Sequence, residues 1–190
     1  MMASEQPAPP AAATQAARGT PEAMVNALAD AIEAGDLAAA RRYFDGDASA
    51  QPMIDATLAG LIAAAQLRRA VADRFGESEL TRLTVAGTLN LPDPRAMRRR
   101  RFTVEGDLAK EIPGPNERLV GPPSVRRIRD EWKYTMQIPP GTDPAKIKAA
   151  VEQEQNRATA LSGVVQAIRD GKYPDADAMA DDLRRQLAPH

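Results

Sequence analysis

The sequence predicts an α+β fold in which helices come first, antiparallel strands follow, and helices return. Three observations predict it. Apolar residues recur at three and four positions up to Phe75, the stretch from Leu89 to Ile138 breaks into short runs rich in Val, Ile, Phe, Trp and Tyr, and the three-and-four spacing resumes after Asp143. Elements that come in runs, without single alternation, argue against a doubly wound parallel sheet.

Residues 1–19 read as a disordered Ala/Pro-rich leader, because Gln6 to Ala17 has little to bury and is biased toward extended backbone. Residues 20–138 then form the helix-plus-sheet domain. Thr20-Pro21 offers a capping hydroxyl followed by proline in the first helical turn, and Met24, Val25, Leu28 and Ile32 trace one apolar face that Gly35 closes. Asp36 caps a second helix, Leu37 to Phe44. From Pro52 to Phe75 runs the longest helix of the first half, alanine-rich and stopped by Gly76, with a weaker helical turn from Glu79 to Leu83.

Arg101-Phe102-Thr103-Val104 runs into the turn signal Glu105-Gly106-Asp107, and Leu108 to Ile112 returns as its hairpin partner. A second hairpin joins Ser124–Arg129 to Trp132–Ile138 through Asp130-Glu131. Its alternation puts Trp132, Tyr134, Met136 and Ile138 on one face and Lys133, Thr135 and Gln137 on the other. Residues 139–190 read as a C-terminal helical extension packing on the same domain. Asp143-Pro144 starts a long helix to Asp170 whose seam holds Ile147, Val151, Ala158, Leu161, Val165 and Ile168, with Glu154 among them. A final helix follows Pro174-Asp175, with Met179, Leu183 and Leu187 as its buried edge. The polar sheet face is where the long helix is expected to lie.

Composition removes most catalytic templates. The chain has 190 residues, no cysteine, and one histidine, His190, so disulfides, thiolate metal sites, cysteine nucleophiles and histidine-based acid/base pairs are excluded. No cofactor and no metal site is expected. Lys+Arg 25 against Asp+Glu 26 gives no global basic excess, and so no strong nucleic-acid signal. No apolar run reaches transmembrane length. Localisation is read as cytoplasmic by default, and as exported or tethered if an upstream signal is missing.

PEAMVNALADAIEAGDLAAARRYF resembles the opening of nuclear transport factor 2-like, cystatin-like cone domains, in which a helix, a Gly-Asp corner and a second helix precede a curved antiparallel sheet. FTVEGDLAKEI and VRRIRDEWKYTMQI are similar to the final hairpins of that superfamily, where a Gly-Asp turn and an Asp-Gly-x-Trp-Lys turn recur; Glu131 stands where that glycine is usual. The alanine-rich helix and the tail RDGKYPDADAMADDLRRQL further resemble bacterial, often exported members. The resemblance implies a cone whose mouth lies between sheet and long helix, a place where relatives bind small ligands or catalyse isomerisation, dehydration or cyclisation. Superfamily membership does not choose among these.

Tyr43, Phe102, Trp132, Tyr134 and Met136 are the candidate ligand-contacting residues, being large and on the inward pattern; the competing reading is that they fill the core. No catalytic residue is assigned. Glu154, Asp55 and Glu105 are the carboxylates whose placement draws notice, and each also reads as an ordinary surface or turn group. Arg98, Arg99, Arg100 and Arg101 are the anion-binding candidates, in a segment from Arg95 to Lys133 with eleven basic against six acidic residues. The competing reading is a charged edge strand paired with the acidic helices. The leading functional reading is a non-catalytic module that binds a small molecule or another protein. The alternatives are a proton-transfer enzyme of isomerase or dehydratase type using a pocket carboxylate or tyrosine, and an anion- or nucleic-acid-binding surface at Arg98–Arg101. Oligomeric state is left open.

Overall fold

Capping chemistry places the helix starts. The computed structural model describes residues 19–89, 91–113 and 124–188, so the leader reading for residues 1–18, the charges Glu117 and Arg118, and His190 lie outside the described residues. Thr20 Oγ1 accepts the Ala23 amide at 3.2 Å, and α1 (Pro21–Ala34) ends on Gly35, whose φ of 73° closes the helix as only glycine does cheaply. Asp36 accepts the Ala39 amide at 2.9 Å and starts α2 (Leu37–Arg41).

α2 is shorter than the sequence pattern predicts. The chain leaves it before Tyr43, and Phe44–Asp45 becomes the two-residue strand β1. Two backbone bonds hold it there, Tyr134 N to Tyr43 O at 2.8 Å and Met136 N to Asp45 O at 2.9 Å. The Phe44 ring stacks on Tyr134 with centroids 5.5 Å apart, a contact that a helical Phe44 would forgo.

Next come α3 (Gln51–Phe75), α4 (Glu77–Val85) and the short α5 (Pro94–Met97), capped by Asp93. α4 is a full helix where a weak turn was expected. Strands β2 (Arg101–Glu105) and β3 (Leu108–Ile112) form the expected hairpin, and β4 (Ser124–Ile128) with β5 (Glu131–Thr135) forms the second. The second turn sits one residue earlier than the pattern suggests. Arg129 and Asp130 both take positive φ, 52° and 65°, as a two-residue turn matching the strand twist requires. The sheet order is β1-β5-β4-β3-β2, and β1 pairs parallel to β5, so the curved, unclosed sheet is mixed rather than purely antiparallel.

α6 (Pro144–Arg169) and α7 (Ala176–Leu187) complete the chain, with Asp143 and Asp175 as caps. α6 does not cover the polar sheet face. It runs along α3, and its seam of Ala158, Leu161, Val165 and Ile168 buries against Ala63, Ala64, Leu67 and Val71. Apolar residues seek the larger apolar stripe, and the alanines of α3 let two backbones come close. Leu187 is 37% exposed, at the fraying end of α7, so that helix's buried edge is Met179 and Leu183.

Two cores result. The first half of α3 (Ile54, Leu58) packs with α1, α2 and the sheet; the second half packs with α4, α6 and α7. The α+β class, with its C-terminal helices, is the architecture expected from the sequence. Among the described residues no helix is long and apolar enough to cross a membrane.

Candidate functional site

The five large residues singled out in the sequence meet in the sheet-side core. Tyr43, Trp132 and Tyr134 are buried, while Phe102 and Met136 pack against the same cluster from partly exposed positions. β5 ends at Thr135, so Met136 and Ile138 reach the core from irregular backbone. Arg127 lies over the Trp132 ring, 4.7 Å from its centroid. Burial raises both Tyr43 and Tyr134 above the ordinary phenol range. None of the five lines the groove described below.

The arginine run does not form a strand face. Arg98 caps the end of α5, Arg99 and Arg100 lie in the following turn, and only Arg101 enters β2. α5 and the turn after it delay the strand to Arg101. Arg98 forks onto α1, with Nη1 2.8 Å from Glu33 Oε1 and Nη2 2.8 Å from Glu33 Oε2 and 2.6 Å from Asp30 Oδ1. Those bonds lower Glu33 and raise Arg98 from their ordinary values. Arg100 turns inward, donating to Tyr134 Oη at 3.2 Å and pairing with Glu111 at 3.2 Å. Arg101 donates to the Arg100 carbonyl, and Arg99 is exposed. β2 is a sheet edge, and Glu22 of α1 accepts its Phe102 amide at 3.0 Å.

The three noted carboxylates lie apart. Asp55 pairs with Arg41 at 3.0 Å between α3 and α2. Glu105 pairs with Lys110 at 2.7 Å across the first hairpin. Glu154 is half-buried where α6 crosses α3, its Oε2 3.5 Å from where a Cβ on Gly60 would stand. Among the described residues no group of three or more His, Asp or Glu could hold a metal ion.

A groove of about 830 Å³ opens elsewhere, where the end of α1, the outer face of α3, the starts of α4 and α5 and the end of α6 converge. Its lining holds six arginines, Arg68, Arg69, Arg74, Arg95, Arg98 and Arg169, against the four carboxylates Glu33, Asp73, Glu77 and Asp93. Ala65, Ala72, Leu80, Pro94 and Ile168 supply apolar wall. The arginines differ in how fully they are engaged. Arg98 is saturated by α1. Arg69 and Arg95 reach Asp73 and Glu77 only at 3.8 Å, from side chains that are mostly exposed, and Arg74 and Arg169 make no ion pair among the described residues.

Arg68 is the exception. Its side chain is only 16% exposed, and among the described residues its one ion pair is to Asp93 Oδ2 at 3.5 Å and its buried Nη1 has no hydrogen-bond partner. Asp93 is itself occupied, since its Oδ1 accepts the Arg95 amide at 2.9 Å to cap α5. A guanidinium carries five N–H donors, and leaving buried donors unmade is costly. The groove therefore contains a held, under-bonded cation with looser cations around it.

Comparison with known proteins finds no family model, no curated protein and no solved structure that matches this chain. The site thus rests on its own geometry. Sequence reasoning missed Arg68 because attention went to the dense run at 98–101. A signal was present: Arg68 stands three residues after Ala65 and four before Ala72, so a long cation shares its helix face with residues too small to cover it.

Proposed function

We propose that the chain is a non-catalytic binding module and that the groove between α1, α3, α5 and α6 takes a small anionic ligand. The observation that carries this reading is Arg68, mostly buried, short of hydrogen-bond partners, and set in a lining with more arginines than carboxylates. The anion reading moves away from the Arg98–Arg101 run, where Arg98 is engaged by Glu33 and Asp30, Arg100 by Glu111 and Tyr134, and Arg99 and Arg101 lie outside the groove. Kinship with the cone-domain superfamily stays part of the proposal. It is supported by the helix, Gly35-Asp36 corner and second helix that precede the sheet.

A proton-transfer enzyme is disfavoured because no tyrosine lines the groove, Asp55, Glu105 and Glu154 lie outside it, and each carboxylate that does line it stands beside an arginine that favours its ionised form. The test is a thermal-shift series with sulfate, phosphate and citrate at low ionic strength. A melting temperature that rises with anion concentration and loses that rise in added neutral salt is expected. An unchanged melting temperature for all three anions at millimolar concentration overturns the proposal.

A further inference from the structure

The groove has more room than a compact inorganic ion fills, and its walls are not all charged. Its volume of about 830 Å³ lies in the range of sites that enclose organic ligands. On α3 the helical period puts Ala65, Arg68 and Ala72 on one face, so the guanidinium is flanked along the helix by two methyl groups. Leu80 of α4 and Ile168 of α6 line the same space, and both are almost fully buried. A held cation thus stands beside small apolar side chains in a lining that is otherwise charged.

We infer that the ligand is an organic oxyanion, a carboxylate or phosphate head carried on an apolar body, whose head bonds the Arg68 guanidinium while its body lies against Ala65, Ala72, Leu80 and Ile168. This rests on the anion-binding reading above and narrows its ligand class. A planar fork matches two oxygens of either head group, and Asp93 stands 3.5 Å from Nη2 while Nη1, covered in the groove wall, has no hydrogen-bond partner among the described residues. The alanines are what make room for the body. A longer side chain at position 72 would occupy that room without touching the charge.

Titration calorimetry on the full chain with inorganic phosphate, phenyl phosphate, benzoate and benzyl alcohol separates the parts. Phenyl phosphate and benzoate are expected to bind at least about tenfold more tightly than inorganic phosphate, with benzyl alcohol weakest. The better of the two aryl anions identifies the head group. Arg68→Gln should weaken both aryl anions about tenfold or more, and Arg101→Gln, outside the groove, should leave them unchanged. Should Arg68→Gln fail to fold, Arg68→Lys serves, since it keeps the charge and loses the fork. Ala72→Leu should weaken phenyl phosphate while sparing inorganic phosphate.

Equal affinity for inorganic phosphate and phenyl phosphate would overturn the apolar-body inference and leave the anion-binding reading standing. Undiminished binding in the Arg68 variants, with loss in Arg169→Gln, would overturn the anchor. Silence from every probe would overturn the functional reading itself.

Discussion

The two halves of α3 face different kinds of interior. Toward the sheet, Ile54 and Leu58 meet Tyr43, Trp132 and Tyr134, large groups gathered from distant parts of the chain. Toward the C-terminus, Ala63, Ala64, Leu67 and Val71 meet Ala158, Leu161, Val165, Met179 and Ala180, smaller groups on helices. Two glycines mark the extremes of packing. A Cβ on Gly46, in the sheet half, would stand 2.9 Å from Ile54 Cδ1 and 3.0 Å from the Met136 carbonyl oxygen, whereas one on Gly163 of α6 would meet nothing within 4 Å. Gly46 is thus locked into the sheet half, whereas Gly163 faces solvent on the outer side of α6. Interlocking of rings concentrates stability in a few residues, while alanine-rich contact spreads it over many.

The largest expected effect that tests this contrast is Trp132→Ala, at about 3–5 kcal/mol, since the ring is 1% exposed and its loss leaves a cavity bounded by strands that cannot collapse. Leu161→Ala, equally buried in the helical core, should cost about 2–3 kcal/mol, the lower part of the usual range for a buried leucine, because facing alanine-rich helices can close up. Urea unfolding followed by circular dichroism measures both. A larger loss for Leu161→Ala than for Trp132→Ala would break the comparison.

Gly46→Ala comes next, with a loss of about 1–3 kcal/mol from overpacking against a backbone oxygen that cannot move aside freely. Gly163→Ala should go the other way. It lies in a helix interior with open space, and the alanine should add about 1 kcal/mol to stability by helix propensity. Two substitutions of the same kind with opposite sign separate a packed glycine of the sheet half from a solvent-facing one on α6; a matching sign in the melting temperatures would refute that reading.

The smallest effect is a slope in alkali. Tyr173, between α6 and α7, donates to Asp182 Oδ2 at 2.6 Å, and burial together with that carboxylate pushes its phenol from 10.0 up to about 12. Between these values the unfolded chain has lost the proton that the folded chain keeps. The stability this phenol contributes is therefore complete below pH 10.0 and lost as pH rises toward about 12. Tyr173→Phe should flatten that part of a melting-temperature profile. An unaltered slope would remove Tyr173 from the alkaline response of the helical half.

Much of the frame was legible because its signals are local. Thr20, Asp36, Asp143 and Asp175 each bond an amide two or three residues onward, Gly35 and Gly106 supply positive φ, and the three-and-four spacing marks the helix faces. Each of these can be judged within a few residues. Trp132 was also readable, because one strand's alternation puts it beside Tyr134.

What the sequence by itself determined, then, is where the chain folds locally and which side chains turn inward; which element meets which was decided by the tertiary structure. Phe44 leaves the helix pattern for a parallel strand because Tyr134 offers it a ring and a backbone partner, and α6 chooses α3 over the sheet face because the larger apolar stripe is there. The same distinction governs the arginines. Arg98 is engaged three times only because α1 brings Glu33 and Asp30 beside it, and Arg68 is left under-bonded because, among the described residues, Asp93 is the one carboxylate that reaches it and is shared with a helix cap. A charge carries its sign in the sequence, but its partners are set by packing between segments far apart in the chain, and that packing minimises exposed apolar surface and buried unsatisfied polar groups over the whole molecule at once.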